Sequence, residues 1–197
     1  MFIDMLYSPS PLGAVLFIAC FLAWAALEVA ANLRRGHPGS INRDRWSRAA
    51  IIGGMVLALT LAVTATRAAA FDFAAGRAAI FYLGLTLMAG GMVLRVWAIA
   101  QLGRFFVPEV AIQPGQRVFD RGLYRYLRHP SYAGTFVTIL GYGLALGNWL
   151  SLAVMLVIPG LVYGWRMRVE EAALTEAFGD EYRAYLRRTK RMIPFIL

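Results

Sequence analysis

Five long apolar runs constrain what this chain can fold into more than any other feature. They cover residues 12–32, 49–66, 78–100, 131–147 and 149–165. A helix needs roughly 20 apolar residues to cross a hydrocarbon core about 30 Å thick. Hydrophobic residues make up 59% of the 197, which argues against a water-soluble domain. Since lipid offers the backbone no hydrogen-bond partner and the runs show no barrel-like alternation, we predict an all-α integral membrane protein with about five transmembrane helices.

The last two runs are short, and Asn148 alone separates them. This spacing predicts a tight helical hairpin that barely crosses the bilayer. After Arg166 the apolar residues Leu174, Phe178, Tyr182 and Tyr185 follow at intervals of three and four, which is typical of a helix. We therefore expect a helical C-terminal tail that is interrupted near Gly179. No repeat, low-complexity tract or linker divides the chain, so residues 1–197 form a single domain.

The basic residues predict the orientation of these helices. Five lie in residues 34–48, five in 104–128 and seven in 166–191, whereas only Arg67 and Arg77 fall in the intervening loops. Basic residues near membrane ends stay in the cytoplasm. The chain is thus expected in the inner membrane of the cell, with its N-terminus outside and its C-terminus in the cytoplasm. The net charge of +9 reflects this topology and favours anionic lipid head groups, while no motif supports nucleic-acid binding.

Two polar blocks stand out against the apolar background. The first, residues 122–134, runs directly into the fourth apolar segment, and the second begins at Arg166. A hairpin between them would bring both blocks to one face of the membrane. Within the first block His129 precedes Pro130, which places the histidine at a helix N-terminus where backbone amides attract an anion. An interfacial anchor of Arg and Tyr residues remains an equally good interpretation of this block.

Four charged residues in or near the apolar segments need an explanation. Arg166 and Glu170 are four residues apart and share one helical face, either as a surface salt bridge or as a site for an anion and for hydroxyl groups. Glu28 and Arg95, in the first and third segments, are expected to form a structural pair inside the bundle. The single cysteine, Cys20, has no neighbouring Cys or His cluster, so no metal site is predicted.

From residue 116 to residue 196 the chain resembles the isoprenylcysteine carboxyl methyltransferases, a family of integral membrane enzymes that use S-adenosylmethionine. The matching pieces are Gly122 to Tyr124, Arg128 to Tyr132, Asn148, Glu170 with Glu171, Phe178-Gly179-x-Glu181-Tyr182-x-x-Tyr185, Arg188 and Pro194 to Ile196. The spacing between them is preserved as well. The first 100 residues resemble the family only in hydropathy, so we divide the domain into a membrane scaffold, residues 1–100, and a cofactor-binding catalytic core, residues 101–197.

The resemblance implies a set of site residues. The cofactor-binding set consists of Gln116, Arg117, Val118, Phe119, Tyr124, His129, Pro130, Ser131, Tyr132 and Glu170. Arg166 corresponds to the family's substrate-contacting arginine and is the expected catalytic residue, and Asn148 joins it as a substrate-binding residue. This chain departs from the family pattern in having Gln116 where a histidine is usual and Phe119 where a smaller aliphatic residue is usual.

The implied reaction is methyl transfer from S-adenosylmethionine to the carboxylate of a lipophilic, isoprenylcysteine-like acceptor at the cytoplasmic membrane face. A carboxylate is ionised at pH 7, so the transfer needs no general base. Three other functions remain open. A phospholipid N-methyltransferase shares this kind of domain and cofactor, although its amine acceptor must lose a proton. A membrane sterol or enone reductase using NADPH has a similar C-terminal region in a longer chain, and a membrane scaffold would have no activity.

Overall fold

The structure, a computed structural model, describes residues 8–44 and 46–192. Within them five α-helices run alternately up and down one bundle, which confirms the predicted all-α membrane fold. The helices are α1 (Pro11–Asn32), α2 (Ser47–Ala65), α3 (Arg77–Leu102), α4 (Pro130–Ala145) and α5 (Trp149–Arg188), and the strands are β1 (Ile41–Asn42) and β2 (Ala111–Ile112). Short 3₁₀ turns occupy Ala69–Phe71, Gly103–Phe105 and Gly122–Arg125.

The helices differ in how well they match a bilayer. Helices α1, α2, α3 and α5 are long and apolar enough to cross a membrane. Helix α4 has 16 residues and is therefore about 24 Å long, less than the roughly 30 Å of the hydrocarbon core. It still runs the length of the bundle, because the turn after it meets the loop between α2 and α3, where the Phe73 amide donates to the Gly147 carbonyl at 2.9 Å.

Glycines allow α3 and α4 to pack with their backbones in contact. A Cβ atom on Gly91 would lie 2.6 Å from the Gly134 carbonyl oxygen, and one on Gly84 would lie 2.6 Å from the Gly141 carbonyl oxygen. Such close approach is a common packing mode of membrane helices. Gly90, next in sequence to Gly91, faces open space. The α3–α4 contact fixes the first turn of α4, which carries site residues.

A buried ion pair ties α1 to this unit. Arg95 Nη2 lies 2.7 Å from Glu28 Oε2, which confirms the predicted pair. Arg95 Nη1 also donates to Ser131 Oγ at 3.0 Å and to Thr135 Oγ1 at 2.9 Å, both on α4. The pair therefore joins three helices just below the first turn of α4.

The three basic segments gather at one end of the bundle, as the arginine distribution predicts. Strands β1 and β2 pair in antiparallel register, Ile41 with Ile112 and Asn42 with Ala111, so the α1–α2 loop meets the segment after α3. The chain after α5 returns to the segment before α4, where Leu127 pairs with Lys190. We call this part, residues 33–44, 103–129 and 166–192, the basic end. The opposite end holds the turn before α5, where Asn148 pairs with Asp72.

The tail follows the first part of α5 directly, as a second helical segment that a break at Gly179 separates from it. Helix α5 extends from the bundle to Arg188 and departs from helical geometry at Gly179, whose φ of 54° and ψ of −126° confirm the interruption predicted there. Beyond it the Arg128 and His129 amides donate to the Lys190 and Arg191 carbonyls at 2.8 and 3.0 Å. Residues 194–196, part of the family resemblance, lie outside the described residues.

Candidate functional site

A cavity that is partly open to solvent lies at the basic end, with about 990 Å³ of empty space when the open solvent at its mouth is included. Its wall comes from the end of α3 and the segment after it, from the first turn of α4 and from α5. The lining residues are Leu102, Phe105, Phe106, Val107, Glu109, Val110, Ala111, Ile112, Gln116, Arg117, Val118, Phe119, Tyr124, Arg128, His129, Ser131, Tyr132, Arg166, Glu170, Leu174, Phe178, Tyr182 and Tyr185.

Most of the residues predicted as site residues meet at this cavity. Nine of the ten predicted cofactor residues line it, and so does Arg166. The tenth, Pro130, is fully buried as the first residue of α4 and sets the start of that helix. The hydrophobic stretch 105–112 and the far side of α5, with Leu174 and Phe178, were not predicted as lining. The apolar residues around Pro108 in an otherwise polar segment are the sequence signal that would have pointed to them.

Asn148 does not reach the cavity. It lies at the opposite end of the bundle, one length of α4 away, and is fully buried. Its Oδ1 accepts from the amides of Leu150 and Ser151 at 3.0 and 3.1 Å, which caps α5. Its Nδ2 donates to Asp72 Oδ1 at 3.0 Å and to the Ala68 carbonyl at 3.2 Å. In this structure Asn148 closes the α4–α5 turn and ties it to the α2–α3 loop.

Tyr132 connects the two charged residues of α5. Its hydroxyl donates to Glu170 Oε2 at 2.8 Å and accepts from Arg166 Nε at 3.2 Å. The other oxygen of Glu170, Oε1, accepts no hydrogen bond from the residues that the structure describes, and the Glu170 side chain is 30% exposed. Glu170 therefore offers the cavity a free acceptor oxygen in a fixed orientation.

Arg166 is almost fully enclosed. Nη1 donates to Asp44 and, at 2.7 Å, to Ser47 Oγ. Nη2 donates to the Pro108 carbonyl at 2.6 Å. With the bond to Tyr132, these contacts use four of the five N–H groups of the guanidinium. One N–H on Nη2 is left for a ligand, so a bidentate contact of the predicted kind would require one of these bonds to open.

Asp44, which sequence analysis missed, is the counter-ion of Arg166. Burial acts to raise the pKa of this carboxyl, but hydrogen bonds from the Arg48 and Val110 amides and the charge of Arg166 outweigh burial, so the pKa of Asp44 lies below its ordinary value. Its position just before α2, three residues ahead of Ser47, is the pattern of a helix-capping residue, and this is the signal that would have singled it out.

The adjacent carboxylates of α5 have separate tasks. Glu170 lines the cavity, whereas Glu171 does not. Glu171 Oε2 accepts from Arg191 Nη2 at 2.8 Å, and Oε1 lies 3.3 Å from His129 Nε2. Glu171 thus fastens the chain after α5 to the start of α4. The His129 ring, held in this way, stacks on Tyr132 with centroids 5.3 Å apart and 10° between the planes.

Aromatic side chains form the opposite wall. Phe119 packs edge-on against Tyr124, with ring centroids 5.3 Å apart. Tyr185 of α5 donates to the Tyr124 carbonyl at 2.7 Å, which anchors this wall to the tail. Burial raises the pKa of Tyr124 well above its ordinary value, so its hydroxyl stays protonated and donates to the Ala98 carbonyl at 3.3 Å. Gln116 Oε1 accepts from the Gln113 amide at 2.9 Å and shapes the turn before Arg117.

Comparison with protein families identifies the fold around this cavity. The model of the family described as phospholipid methyltransferase matches residues 79–181, more than half of the chain and the whole stretch from α3 into the tail. The chain belongs to the phospholipid methyltransferase family. Its matched region contains the cavity residues from Leu102 to Phe178 and leaves out α1 and α2.

Within this family, the similar proteins include isoprenylcysteine methyltransferases. Protein-S-isoprenylcysteine O-methyltransferase of Schizosaccharomyces pombe is 35% identical over 108 residues, which cover 54% of this chain and 46% of that protein. The probable enzyme of the same name from Oryza sativa subsp. indica is 30% identical over 119 residues, covering 59% and 62%. The Saccharomyces cerevisiae protein of this name is 34% identical over 116 residues, covering 58% and 48%.

A solved structure shows the same relationship. A eukaryotic intramembrane Ras methyltransferase, isoprenylcysteine carboxyl methyltransferase, matches with a TM-score of 0.55 and 26% identity over 79% of this chain and 55% of that chain. These matches confirm the resemblance predicted from residues 116–196. The chain spans about half the length of the relatives it matches.

Proposed function

We propose that this protein transfers a methyl group from S-adenosylmethionine to the carboxylate of a lipophilic, isoprenylcysteine-like acceptor. The observation that supports this most is the hydrogen-bonded series Arg166, Tyr132 and Glu170 at the wall of the cavity. It places an arginine at the end of the apolar part of α5, beside a carboxylate that faces the cavity. The similarity to enzymes named isoprenylcysteine methyltransferases gives independent support.

The residues around the cavity fit S-adenosylmethionine. Glu170 Oε1, which has no partner, suits a hydroxyl donor, and its charge suits a cation. The rings of Phe119 and Tyr124 suit a flat aromatic base. Arg117 and Arg128 supply positive charge for a carboxylate. When bound, the cofactor supplies an electrophilic methyl group on a sulfonium.

The protein's own part in the reaction is to position the acceptor carboxylate and to exclude water from the cavity. An acceptor carboxylate is already ionised, so no residue needs to remove a proton. Arg166 can orient it through the remaining N–H on Nη2, because its other donors are fixed by Asp44, Ser47, Pro108 and Tyr132. We expect the apolar residues of the stretch 105–112 to exclude water from this face once the ligands are bound, which would strengthen the contact to a charged group.

Ligand binding tests the cofactor assignment. Detergent-solubilised protein should bind S-adenosylhomocysteine, and ligand at about 100 times Kd should add about 2.7 kcal/mol to the free energy of unfolding. Glu170→Ala should remove most of the resulting rise in Tm, because the cavity loses its open acceptor. Glu176→Gln is the matched control, since Glu176 is exposed on the same helix and, within residues 8–44 and 46–192, its ion pair is with Arg43. Stabilisation by NADPH instead of S-adenosylhomocysteine would contradict the methyltransferase assignment.

A phospholipid N-methyltransferase is the second candidate. The description of the family model favours it, and so does the pairing of Arg166 with Asp44, which leaves Glu170 as an available charge for an amine. A competition experiment distinguishes the two functions. The wild-type protein is incubated with labelled S-adenosylmethionine, a farnesylcysteine-type acid and phosphatidylethanolamine vesicles, and the label in each acceptor is measured. We expect label in the acid, and preferential labelling of the phospholipid would establish the second function instead.

We also propose that the basic end faces the cytoplasm and that the protein lies in the inner membrane of the cell. Seventeen of the twenty basic residues lie in the sequence ranges 34–48, 104–128 and 166–191, and basic residues are retained on the cytoplasmic side. A reporter fused after Leu197 should be cytoplasmic, and one inserted near Asp72 should be outside. Reporters that give the same side at both positions would contradict five crossings.

A further inference from the structure

The α1–α2 loop contacts Arg166, a residue of the cavity wall, although the loop lies outside the matched family region. It carries Asp44, which is 122 residues away from Arg166 in sequence. The Asp44 side chain is only 12% exposed. Strand pairing fixes the loop at this place, since the Arg43 amide donates to the Val110 carbonyl at 2.7 Å beside the β1–β2 pair.

Every contact of the Asp44 carboxylate is to a donor on the structure around Arg166. Oδ1 accepts from Arg166 Nη1, from Ser47 Oγ at 3.0 Å and from the Val110 amide at 3.2 Å. Oδ2 accepts from the Arg48 amide at 3.1 Å. One carboxylate thus joins α2, the segment before β2 and α5.

The bond from Asp44 fixes how the guanidinium is turned. A planar guanidinium presents its donors in a rigid fork, so holding Nη1 determines where Nε and Nη2 point. With Nη1 on Asp44, Nε meets the Tyr132 hydroxyl and that hydroxyl donates to Glu170. Without this bond, Arg166 keeps its bonds to Ser47, Pro108 and Tyr132 but loses its charged partner, so we expect the guanidinium to turn from its present orientation.

We propose that Asp44 is a positioning residue for methyl transfer, acting through Arg166 on the orientation of the acceptor carboxylate. It is not a catalytic residue, because it does not line the cavity. The inference rests on the proposed function. If Asp44 has this role, the α1–α2 loop determines part of the geometry of the active site. This loop belongs to the first 100 residues, which resemble the family only in hydropathy.

The test compares Asp44→Asn with Arg43→Gln. The first variant removes the charge that holds Arg166. It keeps one carboxamide oxygen, which can accept from the Val110 amide or from the Arg48 amide but not from both, since these amides donate to different oxygens of Asp44. Methyl transfer to a farnesylcysteine-type acid should fall by roughly tenfold to a hundredfold, the scale of a small misplacement at a reacting centre. The Kd of S-adenosylhomocysteine should stay within about threefold. Arg43→Gln, which removes only an exposed ion pair in the same loop, should leave the rate unchanged.

A double variant separates positioning from a merely structural role. If Asp44 acts only through Arg166, adding Asp44→Asn to Arg166→Ala should cause no further loss of activity. Losses that multiply in the double variant, or a normal rate in Asp44→Asn, would overturn the inference. The failure of the proposed function looks different, since the wild-type protein would then bind S-adenosylhomocysteine without methylating the acid.

Discussion

Methyl transfer to a farnesylcysteine-type acid should fall by roughly a hundredfold or more in Arg166→Ala, while the Kd of S-adenosylhomocysteine changes by only a few fold. The loss corresponds to a charge-assisted contact of about 3 kcal/mol that is made to the acceptor and not to the cofactor. Initial rates and a binding titration on the same preparation measure both quantities. Arg166→Lys should recover only part of the rate, because an ammonium cannot reproduce the planar fork.

The buried counter-ion supplies the control for this variant. Arg166→Ala leaves Asp44 enclosed without its cation, and breaking a buried pair costs about 3–5 kcal/mol. The double variant with Asp44→Asn should therefore have a higher Tm than Arg166→Ala while remaining equally inactive. Recovery of activity together with Tm would show that Arg166 acts through folding alone. Loss of cofactor binding in parallel with activity would make it a cofactor residue.

The second large effect is expected at the α3–α4 contact. Gly91→Leu should prevent the protein from folding stably in detergent, because even a Cβ atom at this position would lie 2.5 Å from the Thr138 amide nitrogen and 2.6 Å from the Gly134 carbonyl oxygen. Overpacking usually costs about 1–3 kcal/mol, and here the obstacle is backbone, which cannot rotate away. The yield of monodisperse protein and its Tm measure the effect.

Gly90→Leu is the matched control, one residue away on the same helix. No atom lies within 4 Å of a Cβ built there, so leucine points into open space at the bundle surface and improves helix propensity by up to about 1 kcal/mol. We expect wild-type yield and a Tm that is unchanged or raised. Equal damage from the two substitutions would show that α3 and α4 do not pack as the structure has them.

The features that depend on a local sequence pattern were predicted well from the sequence. Membrane length and apolarity located the first four helices to within two residues at each end, whereas the run 149–165 covers only the first part of α5. The arginines gathered at one end as predicted. The pairing of Glu28 with Arg95 was predictable because a charged side chain inside an apolar bundle has few other partners that can compensate its charge. Nine of the ten residues that the family resemblance implies for the cofactor line one cavity, and their role in cofactor binding stays a prediction. In each case the determining residues are close in sequence or chemically exceptional.

What the sequence did not predict depends on contacts between distant segments. No residue near Arg166 in the sequence indicates that its Nη1 donates to Asp44, because that contact depends on the pairing of β1 with β2. The position of Asn148 at the opposite end follows from the direction of α4, which a motif match does not reveal. Neighbouring carboxylates also diverge, since successive helix residues point about 100° apart, and Glu171 turns to Arg191 while Glu170 faces the cavity.

The short α4 has a consequence for the lipid around the protein. At about 24 Å it is shorter than a typical hydrocarbon core is thick, and most of its residues are buried among the other helices. A membrane that thins to match it does so at a cost of a fraction of a kcal/mol per Å of mismatch. Because the same helix begins directly after His129 and carries Ser131 and Tyr132 in its first turn, we expect the depth of the cavity in the membrane to depend on bilayer thickness. Lipid composition would then influence the site together with temperature and ionic strength.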